Sequence, residues 1–250
     1  MKLTDTITTE YAQLEAHLLG KQHTDTIKEK FDPLLHAYKV WLLEYIEEDG
    51  GSMNVLPDDE YSADYDVARG IIRTVRPNYS QDTLTHFCID IIPFETAEFF
   101  TKTGLFLSAF INLAHQKTGE ENYILDVSLF SVPLDYIGVE NKANITIHGN
   151  VKDYLGKSMN KGRIVLNGNC ESSAGADMYD GEIIVQGNAV SDIGNFLRGG
   201  TIRIKGNAGI DVGLEMCIGT IYLDGTYTNL ADARMRGTIY HKDEIIWRQI

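Results

Sequence analysis

The sequence is short of the residues that staple chains, bind anions or cross membranes. Its three cysteines, Cys88, Cys170 and Cys217, form no close pair. That spacing supports neither a disulfide framework nor a Cys-based zinc site, and it fits a reducing, cytoplasmic compartment. Basic residues are scarce: 22 Lys and Arg face 36 Asp and Glu, for a formal charge of −14. Phosphate backbones need clustered Lys and Arg, so this balance argues against nucleic acid and against an anionic membrane surface. The longest apolar stretch, Gly104 to Ala114, is far too short to span a bilayer, and Met1-Lys2-Leu3-Thr4-Asp5 lacks the apolar run of a signal peptide. No membrane association is expected.

Catalytic signatures are missing as well. There is no Gly-x-Ser-x-Gly nucleophile motif. The histidines at 17, 23, 36, 86, 115, 148 and 241 are scattered. A β-helix zinc site between protomers would need a second His one coil after His148, and Asn167 stands there instead. Gly156-Lys157-Ser158 resembles the end of a phosphate loop, but Lys152 occupies the place of its upstream glycine. An EF-hand order of ligands is absent from the acidic 50–66 segment, which reads as a solvated loop. No cofactor and no metal are implied. The remaining composition, 43% hydrophobic and 23% charged, is ordinary for a globular chain with room for one large or two modest domains.

What the chain does have is a glycine rhythm between Ala143 and Tyr240. Gly149-Asn150, Gly168-Asn169, Gly187-Asn188 and Gly206-Asn207, then Gly225-Thr226, recur at a constant 19-residue step. Gly156, Gly175, Gly194 and Gly213 keep the same step, as do Gly162, Gly181, Gly200 and Gly219, and the last copy arrives one position early at Gly237. A fixed period of about 20 residues marks a solenoid. Three glycines per coil suggest three corners with a short strand on each side, since glycine reaches positive φ without steric cost.

Alternation within the copies supplies the core. Ile164/Ile183/Ile202/Ile221 and Leu166/Val185/Ile204/Leu223 form two inward columns of a strand that follows the third glycine. Met159/Met178/Leu197/Met216 and Val151/Cys170/Ala189/Ala208 form a third and a fourth. One coil cannot bury its own apolar face, but a stack buries all four columns together. The four asparagines stack at one corner, where amide side chains can hydrogen-bond along the axis.

These residues carry a family likeness. Gly187-Asn-Ala-Val-Ser-Asp-Ile-Gly194-Asn-Phe-Leu-Arg-Gly199-Gly200-Thr-Ile-Arg-Ile-Lys-Gly206-Asn-Ala-Gly209 resembles the GXGXG repeat domain. That domain closes the large subunit of glutamate synthase, and it forms one subunit of formylmethanofuran dehydrogenase and of the related formyltransferase/hydrolase complex. The likeness covers roughly 143–240 and implies a right-handed parallel β-helix that serves as a scaffold for catalytic partners.

Residues 1–135 are expected to form an α/β domain and 136–250 the three-sided β-helix. Helices are predicted at 5–19 and from about 25 to 48, with Pro33 as an alternative start for a fresh helical turn. Strands are predicted at Gly70–Val75, Thr85–Ile92 and Tyr123–Leu129. A strongly apolar helix is predicted from Phe94 or Glu95 to Lys117, with contacts on more than one side: one with the local sheet, the other either capping the β-helix or meeting a partner. Phe130–Asn141 reads as a degenerate first coil. An open solenoid end exposes strand edges that need cover; the tail from His241 is the candidate at the far end.

Two functional classes follow. The first is a non-catalytic scaffold or interaction subunit, cytoplasmic, with a protein partner or a homo-oligomeric assembly. Its proposed contact surface is the outward apolar stripe Val165, Ile184 and Tyr222. The alternative is an enzyme or small-molecule-binding protein with a site between the two domains, using His86, Asp90 and the 58–66 carboxylates. Asp177, Asp180 and Glu182 offer a further carboxylate cluster of the kind a glycosidase groove requires.

Overall fold

The computed structural model describes residues 32–48, 60–95, 99–231 and 235–249. The helix predicted at 5–19, the stretch of the next helix before Asp32 and residues 50–59 of the acidic loop lie outside them. Two compact units result, Met1–Asn78 and Tyr79–Ile250.

In the first unit, α1 (Pro33–Glu48) packs with α2 (Glu60–Val75). The fresh start at Pro33 is observed. Asp32 Oδ1 accepts from Leu34 N at 2.7 Å and Leu35 N at 3.3 Å, so an Asp cap precedes a proline at the first helical position. Leu34, Ala37, Tyr38, Trp41 and Leu42 make the buried stripe. Residues 60–66 are helix and not loop, and Gly70–Val75 is helix and not strand. Tyr65, Ala68, Ile71 and Ile72 are buried together, a spacing of three to four that a strand would have divided between two faces.

The second unit begins with α3 (Gln81–Ile91), a 3-10 turn (Ile92–Phe94) and α4 (Phe99–Thr118). Here too a predicted strand is helical. Ser80 caps it by accepting from Thr83 N at 3.2 Å, and Leu84, Phe87, Cys88 and Ile91 form a helical stripe. Of the three strands expected before residue 135, two are therefore helical and the third is observed: among the described residues the first strand is Asn122–Asp126. β-branched runs such as Ile71-Ile72 favour strands locally, but the burial period decides.

From residue 122 the chain winds into a β-solenoid of about six turns with coils of roughly 19 residues. Its main sheet is ordered β1 (Asn122–Asp126), β2 (Asn144–His148), β3 (Arg163–Asn167), β5 (Glu182–Val185), β7 (Thr201–Ile204), β9 (Thr220–Leu223), β10 (Gly237–His241) and β11 (Glu244–Gln249). A smaller sheet stacks β4 (Cys170–Ser172), β6 (Ala189–Ser191) and β8 (Ala208–Ile210). All pairs are parallel except β10 with β11.

Register confirms the inward columns. Tyr123, Ile145, Ile164, Ile183, Ile202, Ile221 and Ile239 pair in one unbroken file, and none is more than 2% exposed. Met159, Met178, Leu197 and Met216 are each at 0%, and Met235 extends their column. A fifth column, unpredicted, consists of Ile137, Leu155, Ala174, Ile193 and Val212. Each coil also turns through a run of left-handed residues, such as Tyr154 (φ 62°), Gly156 (φ 67°) and Ser158 (φ 54°). Gly156 is needed twice over: a Cβ there would stand 2.5 Å from Ile183 Cδ1 of the next coil.

The asparagine corner is a ladder of a different kind from amide stacking alone. Asn150 Oδ1 accepts the backbone N–H of Asn169 at 2.8 Å. Asn169 serves Asn188 at 2.8 Å, Asn188 serves Asn207 at 2.7 Å, and Asn207 serves Thr226 at 3.0 Å. Asn169 adds an amide–amide bond, to Asn150 at 3.1 Å.

The helices close the first edge of the stack by imitating a missing coil. In later coils Gly156 N donates to Ile137 O and Gly175 N to Leu155 O, both at 2.8 Å. Gly138 has no earlier coil and donates instead to Ser108 Oγ of α4 at 2.8 Å, while Ser108 Oγ lies 2.9 Å from Tyr136 O. Asn112 Nδ2 donates to Val139 O at 2.9 Å, and Gly104 leaves room for Asp135 O, which any Cβ would overlap. On β1, the Gln81 amide works as a one-residue strand, accepting from Ile124 N at 2.9 Å and donating to Ile124 O at 2.8 Å. The apolar helix thus has a cap to make on one side and Phe87 stacked on Phe106 on another.

Candidate interaction surface

The residues of the proposed stripe stand at the centre of each main-sheet strand and face away from the inward columns. Pairing aligns Ile124, Thr146, Val165, Ile184, Arg203, Tyr222 and Tyr240 in one outward file, and Tyr240 pairs with Ile245 of β11. Val165 and Ile184 are adjacent. Arg203 separates Ile184 from Tyr222, so the apolar stripe is not continuous. Its guanidinium lies 5.2 Å from the Tyr222 ring centroid, and Tyr222 stacks on Tyr240 at 4.8 Å with planes 12° apart. The break is therefore bridged by a cation–π and aromatic stack. Ile184 is 7% exposed, Val165 and Tyr222 are half-buried, and Ile124 and Ile245 are 54% and 48% exposed.

Polar rows flank the file. Arg163 pairs with Glu182 at 2.7 Å on one side. On the other, Asp224 binds Arg203 at 2.8 Å and Lys205 at 3.3 Å. Burial pushes the Asp224 carboxyl up, but its bonds to Arg203 and Lys205 outweigh that and hold it below the usual carboxylate range. The same bond to Asp224 raises Arg203. An apolar centre with a charged, hydrogen-bonded rim is the anatomy of a protein contact face. Sequence reading missed Ile124, Tyr240 and Ile245. The step from Tyr222 to Tyr240 is shorter than a standard coil and that from Ile124 to Thr146 is longer, so a constant period passes over both.

The residues of the enzyme reading are carried on separate elements. His86 and Asp90 are exposed on α3, and His86 Nδ1 bonds Asp82 O of its own helix at 2.8 Å. Asp64 and Asp66 stand on α2 of the other unit, and Asp58 and Asp59 lie outside the described residues. Asp177 is engaged by Lys157 at 3.2 Å and Arg198 at 2.9 Å, Glu182 by Arg163, and Asp180 Oδ1 by Gly181 N. Lys157 of the Gly-Lys-Ser triplet is buried, with Nζ over the Tyr154 ring, so it serves the coil wall.

Burial pushes the Cys88 and Cys170 thiols up to about 12, which removes them as nucleophiles near neutrality. Asp135 is raised by burial, against the opposing pull of Lys152, and ties α4 to two coils through Thr101 Oγ1 at 3.0 Å and Asp153 N at 3.2 Å. An open cleft of about 410 Å³ runs between Cys217–Thr220 and Arg236–Thr238. Among the described residues, no group of three His, Cys, Asp or Glu side chains is placed to hold a metal ion, and no helix is long and apolar enough to cross a membrane. Compared with protein-family models and with curated proteins, this chain matches none.

Proposed function

We propose that this protein is a non-catalytic scaffold subunit whose main sheet is a docking face for a protein partner in a cytoplasmic assembly. In this reading the solenoid is a right-handed, three-sided β-helix of the GXGXG kind, and the assembly is glutamate synthase-like or formyl-transferring. The observation that carries the reading is the outward file of Val165, Ile184 and Tyr222 on a stacked sheet, with ion pairs along its rim. A rigid sheet commits its inward columns to stability and leaves the outward ones free to specify contacts.

The test is affinity isolation from the native source with the parent chain and with a Val165→Glu/Tyr222→Glu variant, followed by mass spectrometry. Ile184 is left intact because it is buried. Co-isolation of an amidotransferase or formyl-transfer enzyme by the parent, lost in the folded variant, is the expected result. Equal recovery by both chains would rule out this face as the contact.

A further inference from the structure

One corner of the main sheet is filled in an early coil and open in a late one. Gly181 precedes β5 at φ 101°, and its backbone N–H donates to Asp180 Oδ1 at 2.8 Å. At this corner the chain itself places a carboxylate on the N–H. Two coils on, Gly219 precedes β9 at φ 123°, and Ile218 stands where Asp180 stood. Backbone bonds fix the correspondence: Asp180 N donates to Met159 O, and Ile218 N donates to Leu197 O of the same inward column. Isoleucine offers no acceptor and is 60% exposed. The Gly219 N–H has no partner among the described residues.

A guanidinium lies open at the same place. Arg198 is held by Asp177 at 2.9 Å. Arg236 comes two coils later in the same file, since Arg198 N donates to Met178 O and Arg236 N to Met216 O. Glu215 takes the position of Asp177 there, but Arg236 makes no ion pair with it or with any other described residue.

Gly219 and Arg236 line one open cleft of about 410 Å³. Thr220 and Thr238, paired in register on β9 and β10, add two hydroxyls to its wall. Gln249 adds an amide and Ile218 an apolar side. Among the described residues no Asp or Glu lines it, in a chain whose formal charge is −14. A charge-assisted bond from a guanidinium, together with a backbone N–H, is what a carboxylate needs from its site. A cleft of this volume suits a small organic molecule rather than a lone ion.

We infer that this cleft binds a small organic acid. Its carboxylate takes the Gly219 N–H and the Arg236 guanidinium, as Asp180 takes Gly181, and its apolar body lies against Ile218. The site lies within the second unit and does not rest on the docking face proposed above, since neither Val165 nor Tyr222 lines it.

The experiment is a titration of the full chain with sodium benzoate at constant ionic strength, followed through the backbone amide resonances, with benzamide as the neutral match in shape. Benzoate is expected to shift Gly219, Thr220 and Gly237 saturably in the millimolar range, and benzamide to leave them in place. Arg236→Gln removes the charge and should weaken benzoate binding about tenfold or more. Ile218→Asp rebuilds the Asp–Gly bond of the earlier coil and should fill the site from within, abolishing binding. No saturable shift, an equal response to benzamide, or undiminished binding by a folded Arg236→Gln or Ile218→Asp chain each overturn the inference. Shifts confined to residues away from the cleft overturn it too. Should either variant fail to fold, the contrast between benzoate and benzamide on the parent decides, with the cleft amides as the readout.

Discussion

Ser108→Ala tests whether the helix really stands in for a coil. The Ser108 hydroxyl is 2% exposed; it accepts from Gly138 N at 2.8 Å and has Tyr136 O at 2.9 Å and Gly104 O at 2.7 Å as acceptors for its single proton. Alanine keeps the helix and nearly all of the packing but removes the acceptor placed at the Gly138 N–H. Leaving a buried donor unsatisfied costs about 1–3 kcal/mol. Taking about 2 kcal/mol, the melting temperature of a unit of this size should fall by about 4–8 °C. Equilibrium urea unfolding gives the total, and amide exchange gives the place: Gly138 should lose protection before Gly156, whose N–H donates to Ile137 O. A change within about 0.5 kcal/mol, the ordinary scatter for inconsequential surface substitutions, with Gly138 still protected, would refute the imitation of a coil by α4.

Two other sites give sharp outcomes. Gly156→Ala combines a positive φ with a contact 2.5 Å from Ile183 Cδ1, and it should destabilise by more than the ~1 kcal/mol expected from backbone conformation alone, read by urea unfolding. Asn188→Ala removes the acceptor for Asn207 N and should cost about 1 kcal/mol, whereas Asn188→Asp keeps that oxygen and should cost less; equal losses in thermal melts would contradict the ladder as drawn.

How much of this was legible depended on how regularly a position repeats. Ile164, Ile183, Ile202 and Ile221 are identical at a constant step, and their file is the one observed. Ile137, Leu155, Ala174, Ile193 and Val212 vary in size and follow left-handed residues, so neither identity nor strand alternation marked them. Gly156 announced a left-handed turn, but Tyr154 and Ser158 beside it carry positive φ with no compositional sign. The helices α2 and α3 were hidden by β-branched pairs, although Leu84, Phe87, Cys88 and Ile91 already held the helical spacing. The edge imitation by Gln81 and Ser108 could not be read at all, because it joins residues 43 and 30 positions apart through single side chains. On the outward face, Val165 and Ile184 were visible as alternating positions, while nothing in the repeat marked Arg203, between Ile184 and Tyr222, as the ring-stacking bridge it is.

The stacking register itself can be measured by cutting out one coil. Removing Ile184–Ile202 joins Ile183 to Arg203 and deletes one 19-residue repeat, so every file closes up in phase; stopping the cut one residue short reverses the inward and outward faces beyond the junction. Equilibrium unfolding of the two shortened chains should show a cooperative transition for the first and a large loss of stability for the second. Equal stability of the two, or collapse of the in-phase variant alone, would contradict a fold built on residue-for-residue stacking of coils.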